Sequence, residues 1–285
     1  MSSEPSGDSA NSQQSQPIEV FLDTSIHITR LESDHHKAKI DHTLEGFRWK
    51  GTCSYTQIEY GNVILASACY YYRKLKELDD LEALSDFIYH HLPRNRKYKQ
   101  WYHSLLRHSF NRDEATERAK LLLQSLMTVG TKYISGYCDE VRDGIKCAWA
   151  RQEVSPRTPW KRPDRAKCRI DKFFEEKKDT FRSLEKAIRQ APEKQTDELK
   201  TFADLIQQAQ SNPSLLRDCK VCWKLADAII AVESEGYSSF FTQNIKESDV
   251  LCRPLKQKLL YLKQNADDPV EVIDYRDVQS EQSDE

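Results

Sequence analysis

No stretch of this chain approaches the roughly 18 consecutive apolar residues that a membrane-spanning helix requires. Its first residues also lack the basic flank and apolar core of a secretory signal. Both absences argue against membrane insertion and export, so a cytosolic (cytoplasmic) protein with no membrane partner is expected. The eight cysteines are spread too thinly over 285 residues to staple a small disulfide scaffold, which leaves reduced thiols as the expectation. Cys219-x-x-Cys222 has no second pair at a convincing zinc spacing, and it does not open a helix behind an early strand as a thioredoxin-type pair does. No period recurs along the chain, which excludes a repeat array.

What the sequence has in quantity is segregated charge. The chain totals −2, yet residues 266–285 carry eight acids against Arg276, a local −7, while residues 86–190 hold 24 Lys and Arg against 14 Asp and Glu, a local +10. An excess of that size on one stretch attracts polyanions. Residues 1–16 are Ser, Gln, Asn and Gly with scarcely an apolar side chain, the composition of a disordered leader.

The organising stretch follows. Ile18, Val20 and Leu22 alternate with Glu19 and Phe21 in a short strand that stops at Asp23-Thr24-Ser25. In an open α/β sheet ligands bind at the carboxyl ends of strands, so Asp23 stands where a metal or polar substrate would be held. Asp and Ser are also preferred N-caps, and Asp23 or Ser25 could equally start the helix suggested by Ile26, Ile28 and Leu31. His35-His36 are neighbours on different helix faces and read as surface. Tyr55, Ile58, Val63, Ile64 and Leu65 predict a second helix, with Glu59 in its first turns, where the helix dipole alone would favour an acid.

Residues 70–210 show apolar positions three or four apart, as in Leu75, Leu78, Leu81 and Leu84 or Phe181, Leu184 and Ile188, broken by Pro93, Pro156, Pro159, Pro163 and Pro192. They predict a set of charged helices. Arg94, Arg96, Lys97 and Lys99 are interleaved with Tyr98 and Trp101, and Lys161, Arg162 and Arg165 follow Trp160. Cations of this kind neutralise phosphates while aromatics stack on unpaired bases, although a charged helix face is more commonly only solvated. Further on, Asp227 lies in the apolar helix Leu225-Ala-Asp-Ala-Ile-Ile-Ala231, where an ionised carboxylate needs a partner or a metal unless it points outward. A last strand, Ser238-Ser-Phe-Phe-Thr242, ends at Gln243-Asn244.

Taken in order, Val20-Phe-Leu-Asp23-Thr-Ser25, Thr56-Gln-Ile-Glu59, Leu225-Ala-Asp227 and Phe241-Thr242-Gln-Asn244 resemble the motifs of the PIN-domain nucleases. The resemblance covers about the first and last quarters of the chain. It implies an α/β fold with a central parallel sheet flanked by helices, here divided between residues 17–69 and 211–262. The rest would be a large all-helical basic insertion at 70–210 and an acidic tail at 263–285. It implies that Asp23, Glu59, Asp227 and Asn244 converge as catalytic residues on Mg²⁺ or Mn²⁺, with Thr24, Ser25 and Thr242 as hydroxyls beside the ions. Asn244 departs from the carboxylate of many members, and Asp249, or less directly Asp218, would supply the missing charge. Hard divalent cations suit such an oxygen set. The implied function is metal-dependent hydrolysis of phosphodiester bonds, RNA before DNA, with the basic insertion gripping the strand through Arg94, Arg96, Lys97, Lys99, Trp101, Lys161, Arg162 and Arg165. A homo-oligomer or an inhibitory protein partner is compatible with it. The rival expectations are a catalytically inactive RNA-binding or scaffolding protein on the same fold, and a zinc-stabilised module using Cys219 and Cys222. The −7 tail adds the expectation of an autoinhibitory segment.

Overall fold

The computed structural model describes residues 18–93, 97–147, 154–155, 157–158, 169–191, 194, 196–265 and 267–276. Six strands form one sheet in the order β3-β2-β1-β4-β5-β6. They are β1 (Glu19–Leu22), β2 (Trp49–Cys53), β3 (Glu140–Arg142), β4 (Ser239–Thr242), β5 (Lys258–Tyr261) and β6 (Glu271–Asp274). All neighbours run parallel except β6, which is antiparallel to β5. Helices cover both faces, and successive strand residues divide between them. Phe21, Phe240 and Leu259 enter one core cluster, while Val20, Leu22, Phe241 and Leu260 enter the cluster on the other side. That two-sided burial explains why Val20-Phe21-Leu22 in β1 and Phe240-Phe241 in β4 are consecutive apolar residues.

From β1 the chain passes through α1 (Thr24–Glu32) and α2 (Asp34–Leu44) to β2, a strand in the passage before Cys53 that apolar periodicity did not signal. α3 (Ser54–Tyr60) then runs through a π-helical turn (Gly61–Leu65) into α4 (Ala66–Leu78). α5 (Leu81–His91), α6 (Lys97–Leu106), α7 (Ala115–Val129) and α8 (Lys132–Ser135) gather around α4 in a core cluster of their own, centred on Tyr71, Leu75, Leu84, Tyr102 and Leu123. After β3 come α9 (Ile170–Glu176), α10 (Lys178–Gln190) and α11 (Asp197–Ser211). A 3₁₀ turn (Pro213–Arg217), α12 (Cys219–Lys224), α13 (Ala226–Glu233), β4, α14 (Ile245–Cys252), β5 and β6 complete the chain. Among the described residues no helix is long and apolar enough to cross a membrane.

Two expected boundaries are corrected. Residues 70–210 are not all helical: β3 pairs in register with β2, Gly51 opposite Glu140 and Cys53 opposite Arg142. Two of its three residues, Glu140 and Arg142, are charged, and tertiary bonds hold them. The Arg142 guanidinium donates to the carbonyls of Glu233 and Glu235 at 2.7 and 2.6 Å and lies 4.5 Å from the centre of the Tyr237 ring. Nor is the second half of that stretch separate from the sheet, because Phe173, Phe174, Phe181, Leu184 and Ile206 fill the core cluster under Phe21 and Phe240. The tail from 263 onward is likewise not wholly free. Its residues 271–274 are β6, and Tyr275 beyond them is buried.

Candidate active site

The strand order reverses direction between β1 and β4: the chain builds outward from β1 to β2 and β3, then returns to the other side of β1. At such a switch point the two following connections diverge and leave a crevice at the carboxyl ends of the strands. A cleft of about 280 Å³ opens there, lined by Asp23, Thr24, Ser25, Ile28, Glu59, Asn62, Val63, Trp223, Asp227 and Asn244. All four residues expected to converge therefore share one cleft, although they come from four separate parts of the chain.

Asp23 ends β1 and is both cap and wall. It is the N-cap of α1, with Oδ1 accepting from the Thr24 amide at 2.7 Å. Its Oδ2 accepts from the hydroxyls of Ser25 and Thr242, each at 2.7 Å. Those hydroxyls in turn accept from the amides of Gln243 and Asn244, both at 2.9 Å. Thr242 and Ser25 thus tie the turn after β1 to the turn after β4 and set the carboxylate between them. The capping and functional readings of Asp23 are not alternatives, since a carboxylate has about four acceptor sites.

Glu59 is the sixth residue of α3, which carries no acid in its first turn, so the helix dipole does not account for it. The Thr24 hydroxyl donates to its Oε2. Burial, with the nearby charges of Asp227 and Asp23, holds its carboxyl well above the ordinary glutamate range, against the opposing Thr24 hydrogen bond. The π-helical turn that follows brings Asn62 and Val63 into the cleft wall. Such turns often mark functional sites, because the extra residue re-aims side chains without ending the helix.

Asp227 stands in the first turn of α13, where the helix dipole favours an acid. Its carboxyl is nevertheless pushed upward, first by burial and then by the charges of Asp23, Glu247 and Glu198. Among the described residues no cation pairs with Asp23, Glu59 or Asp227. Asp23 and Asp227 also line a second, smaller pocket of about 10 Å³, bounded on its other sides by Ile230, Phe240 and Cys252. Asn244 occupies the N-cap position of α14 without capping it, and its side chain lines the cleft instead.

Asp249 is not in the cleft, which corrects its expected role as a ligand. More than a turn along α14, it pairs with Lys194 at 2.7 Å and Arg253 at 3.1 Å and accepts from the Tyr275 hydroxyl. Asp218 caps α12 through the Lys220 amide at 2.9 Å. The expected strand-gripping residues fare unevenly. Arg94, Arg96, Lys161, Arg162 and Arg165 lie outside the described residues, as does the side chain of Lys97. The Lys99 ammonium is folded back onto α5, donating to the Tyr89 carbonyl at 2.8 Å, and Trp101 packs partly buried on the helical core. α6, which carries both, rests against the π-helical turn and α1, two elements of the cleft.

The residues that sequence reasoning missed are Asn62, three positions after Glu59 and so on the same helix face, and the apolar wall of Ile28, Val63 and Trp223, which read as core. Among the described residues no group of three or more His, Cys, Asp and Glu side chains is gathered tightly enough to hold a metal ion as it stands. The three carboxylates line one cleft, and a small hard cation that keeps several of its waters would suit such an oxygen set. No family model, no curated protein and no solved structure matches this chain.

Proposed function

We propose that the chain is a PIN-like nuclease that hydrolyses phosphodiester bonds with Mg²⁺ or Mn²⁺, an endoribonuclease acting in the cytoplasm, with residues of the helical body around α4 as an insertion that bears on the nucleic acid. The observation that supports this reading is the meeting of Asp23, Glu59, Asp227 and Asn244 in one cleft at the switch point of the sheet. Three carboxylates with no paired cation among the described residues, two of them with raised proton affinity, are a donor set that favours a hard divalent ion. Asp23, Glu59 and Asp227, with the Asn244 amide, would hold it. Such an ion supplies a better water nucleophile at neutral pH and stabilises charge on the phosphoryl oxygens. Thr24 orients Glu59, Ser25 and Thr242 orient Asp23, and Ile28, Val63 and Trp223 form the apolar side of the cleft against which a nucleotide would lie.

Cleavage of single-stranded RNA and DNA oligonucleotides in the presence of each divalent metal tests the reading. Product should form with Mg²⁺ or Mn²⁺, disappear with EDTA, and be lost in Asp23→Asn and in Asp227→Asn. Metal-independent cleavage, or full activity in both variants, would overturn it. A second reading is favoured by Asn244 and by the commitment of Asp249 to Lys194 and Arg253: a non-catalytic RNA-binding protein on the same fold. RNA binding that survives EDTA, with no product under any metal, selects that reading.

A further inference from the structure

We infer that Trp223 is a stacking platform for one unpaired base beside the cleft acids, and that it makes the site favour strands with a purine at that place. The inference deepens the nuclease reading above and rests on it for where the phosphate lies. Charge is the starting point. The residues that line the cleft include three acids, and among the described residues none is Lys or Arg. A nucleic-acid strand entering the cleft gains nothing from a side-chain cation there, so beyond a bound metal ion its hold must come from apolar contact. Trp223 is the one aromatic residue of that lining, and an aromatic ring holds a base through its π-face whatever its hydrogen-bonding edge.

The indole is held in place before any ligand arrives. It stands edge-on to the buried Tyr55 ring, with centres 5.9 Å apart and planes at 68°. The Tyr55 hydroxyl donates to the Cys222 carbonyl at 3.0 Å, and the same carbonyl accepts from the Leu225 amide at 3.1 Å. These bonds fix the backbone on either side of Trp223, so little freedom is lost when a base packs on its ring. Only Leu225 separates α12 from the first residue of α13, which puts Asp227 about one turn beyond Trp223. Both side chains line the cleft. A base on the indole would set its phosphate beside the carboxylates.

The apolar surface of the cleft comes from two cores. Ile28 belongs to the cluster of the helical body and Val63 packs against it, whereas Trp223 packs against the cluster under Phe21 and Phe240. At about 280 Å³ the cleft is near the lower end of small-ligand sites, about 300 Å³, which is room for one base and its sugar and not for a base pair. In a duplex the neighbouring pairs cover both faces of each base, so stacking on a side chain requires an unpaired one. A purine buries more ring area against an indole than a pyrimidine does, and base preference at a stacking site follows stacking strength.

Binding of short RNA strands to the full chain, with Ca²⁺ in place of Mg²⁺ to separate affinity from turnover, tests the inference. Uridine strands that contain adenines should bind more tightly than all-uridine strands, and the same adenine strand should bind less well once annealed to its complement. Trp223→Ala should weaken single-strand binding roughly 5- to 100-fold and erase the preference for adenine, while Trp223→Phe keeps both. Should Trp223→Ala melt below the wild-type chain, the difference in emission between wild type and Trp223→Phe reads the indole itself, and bound adenine strands should quench it. Unchanged affinity and base preference in Trp223→Ala, a duplex bound as tightly as the single strand, or an unquenched Trp223 signal would each overturn the inference. Metal-dependent cleavage that is indifferent to Trp223→Ala removes the platform and leaves the nuclease reading standing. Trp223-dependent binding with no product under any metal removes the nuclease reading and leaves the platform.

Discussion

Asp227 shows at the scale of one residue how a site can oppose the fold that carries it. Its half-buried carboxyl faces Asp23, Glu247 and Glu198, and burial together with those charges favours its protonated form. Removing the charge should relieve repulsion while removing function. Asp227→Asn is expected to abolish cleavage and to stabilise the metal-free protein by about 0.5–2 kcal/mol at neutral pH, the size of gain typical where a strained site is relaxed. Calorimetric melts of the two proteins check this, and a lower midpoint in the variant would mark Asp227 as a structural partner instead. Glu233 carries the clearest pH dependence. Burial pushes its carboxyl up to about 7, against the Gly144 amide at 3.0 Å and the Arg142 charge, which lower it. A raised carboxyl binds its proton more tightly in the folded chain than in the unfolded one. Its stabilising contribution is therefore full below the ordinary glutamate value and is lost as pH rises through about 7. The change is on the order of 3 kcal/mol. Glu233→Gln keeps an oxygen for the Gly144 amide and should flatten that part of the stability profile, as measured by urea unfolding across the range. An unchanged slope would count against it.

At the scale of an element, β2 shows how a strand with no apolar pattern is specified. Its sequence Trp-Lys-Gly-Thr-Cys has neither the alternation nor the run of branched residues that marks β1, and it exists because β1 and β3 hydrogen-bond to it on both sides. Gly51 in its centre makes room for the Tyr237 ring. A Cβ there would lie 1.9 Å from the Tyr237 hydroxyl oxygen and 2.2 Å from the adjacent ring carbon. That ring cannot swing aside, because its hydroxyl bonds to Glu140, Arg142 covers its face and Phe21 packs against it edge-on. Gly51→Ala should cost at least about 1–3 kcal/mol, the range for overpacking a filled core. The cost should shrink when Tyr237 is also replaced by Ala, as a double-mutant cycle of denaturation midpoints would show. Equal costs in the two backgrounds would mean that the clash is absorbed elsewhere.

For the whole molecule, three core clusters do different work. Two lie on either face of the sheet and fix the ends of β1 and β4, while the third holds α4 to α8 together beside the cleft. The acidic end of the chain belongs partly to this assembly. Residues 271–274 pair with β5, and the buried Tyr275 bonds to Asp249, which also holds Lys194 and Arg253. A chain ending after residue 276 keeps β6 and Tyr275 and serves as the reference. One ending after residue 265 should lose about 2 kcal/mol or more, the worth of one large buried side chain together with a strand pairing. Thermal melts of the two truncations check this; equal melting points would show that β6 is dispensable.

What the sequence alone determined is local. An apolar strand stopped at polar side chains, and a carboxylate inside a small-residue helix is costly wherever it lies, so Asp23 and Asp227 could be picked out one by one, whereas Asn244 was singled out only by the resemblance of the ordered motifs. Glu59, whose place on a helix alone suggested only a dipole effect, was likewise singled out by that resemblance. Their meeting in one cleft, the exclusion of Asp249 and the joining of β3 and β6 to the sheet were decided by tertiary structure. Strand order and helix rotation depend on hydrogen bonds and packing between residues far apart in the chain. Edge strands rich in charge leave no pattern that a neighbour-by-neighbour reading can find.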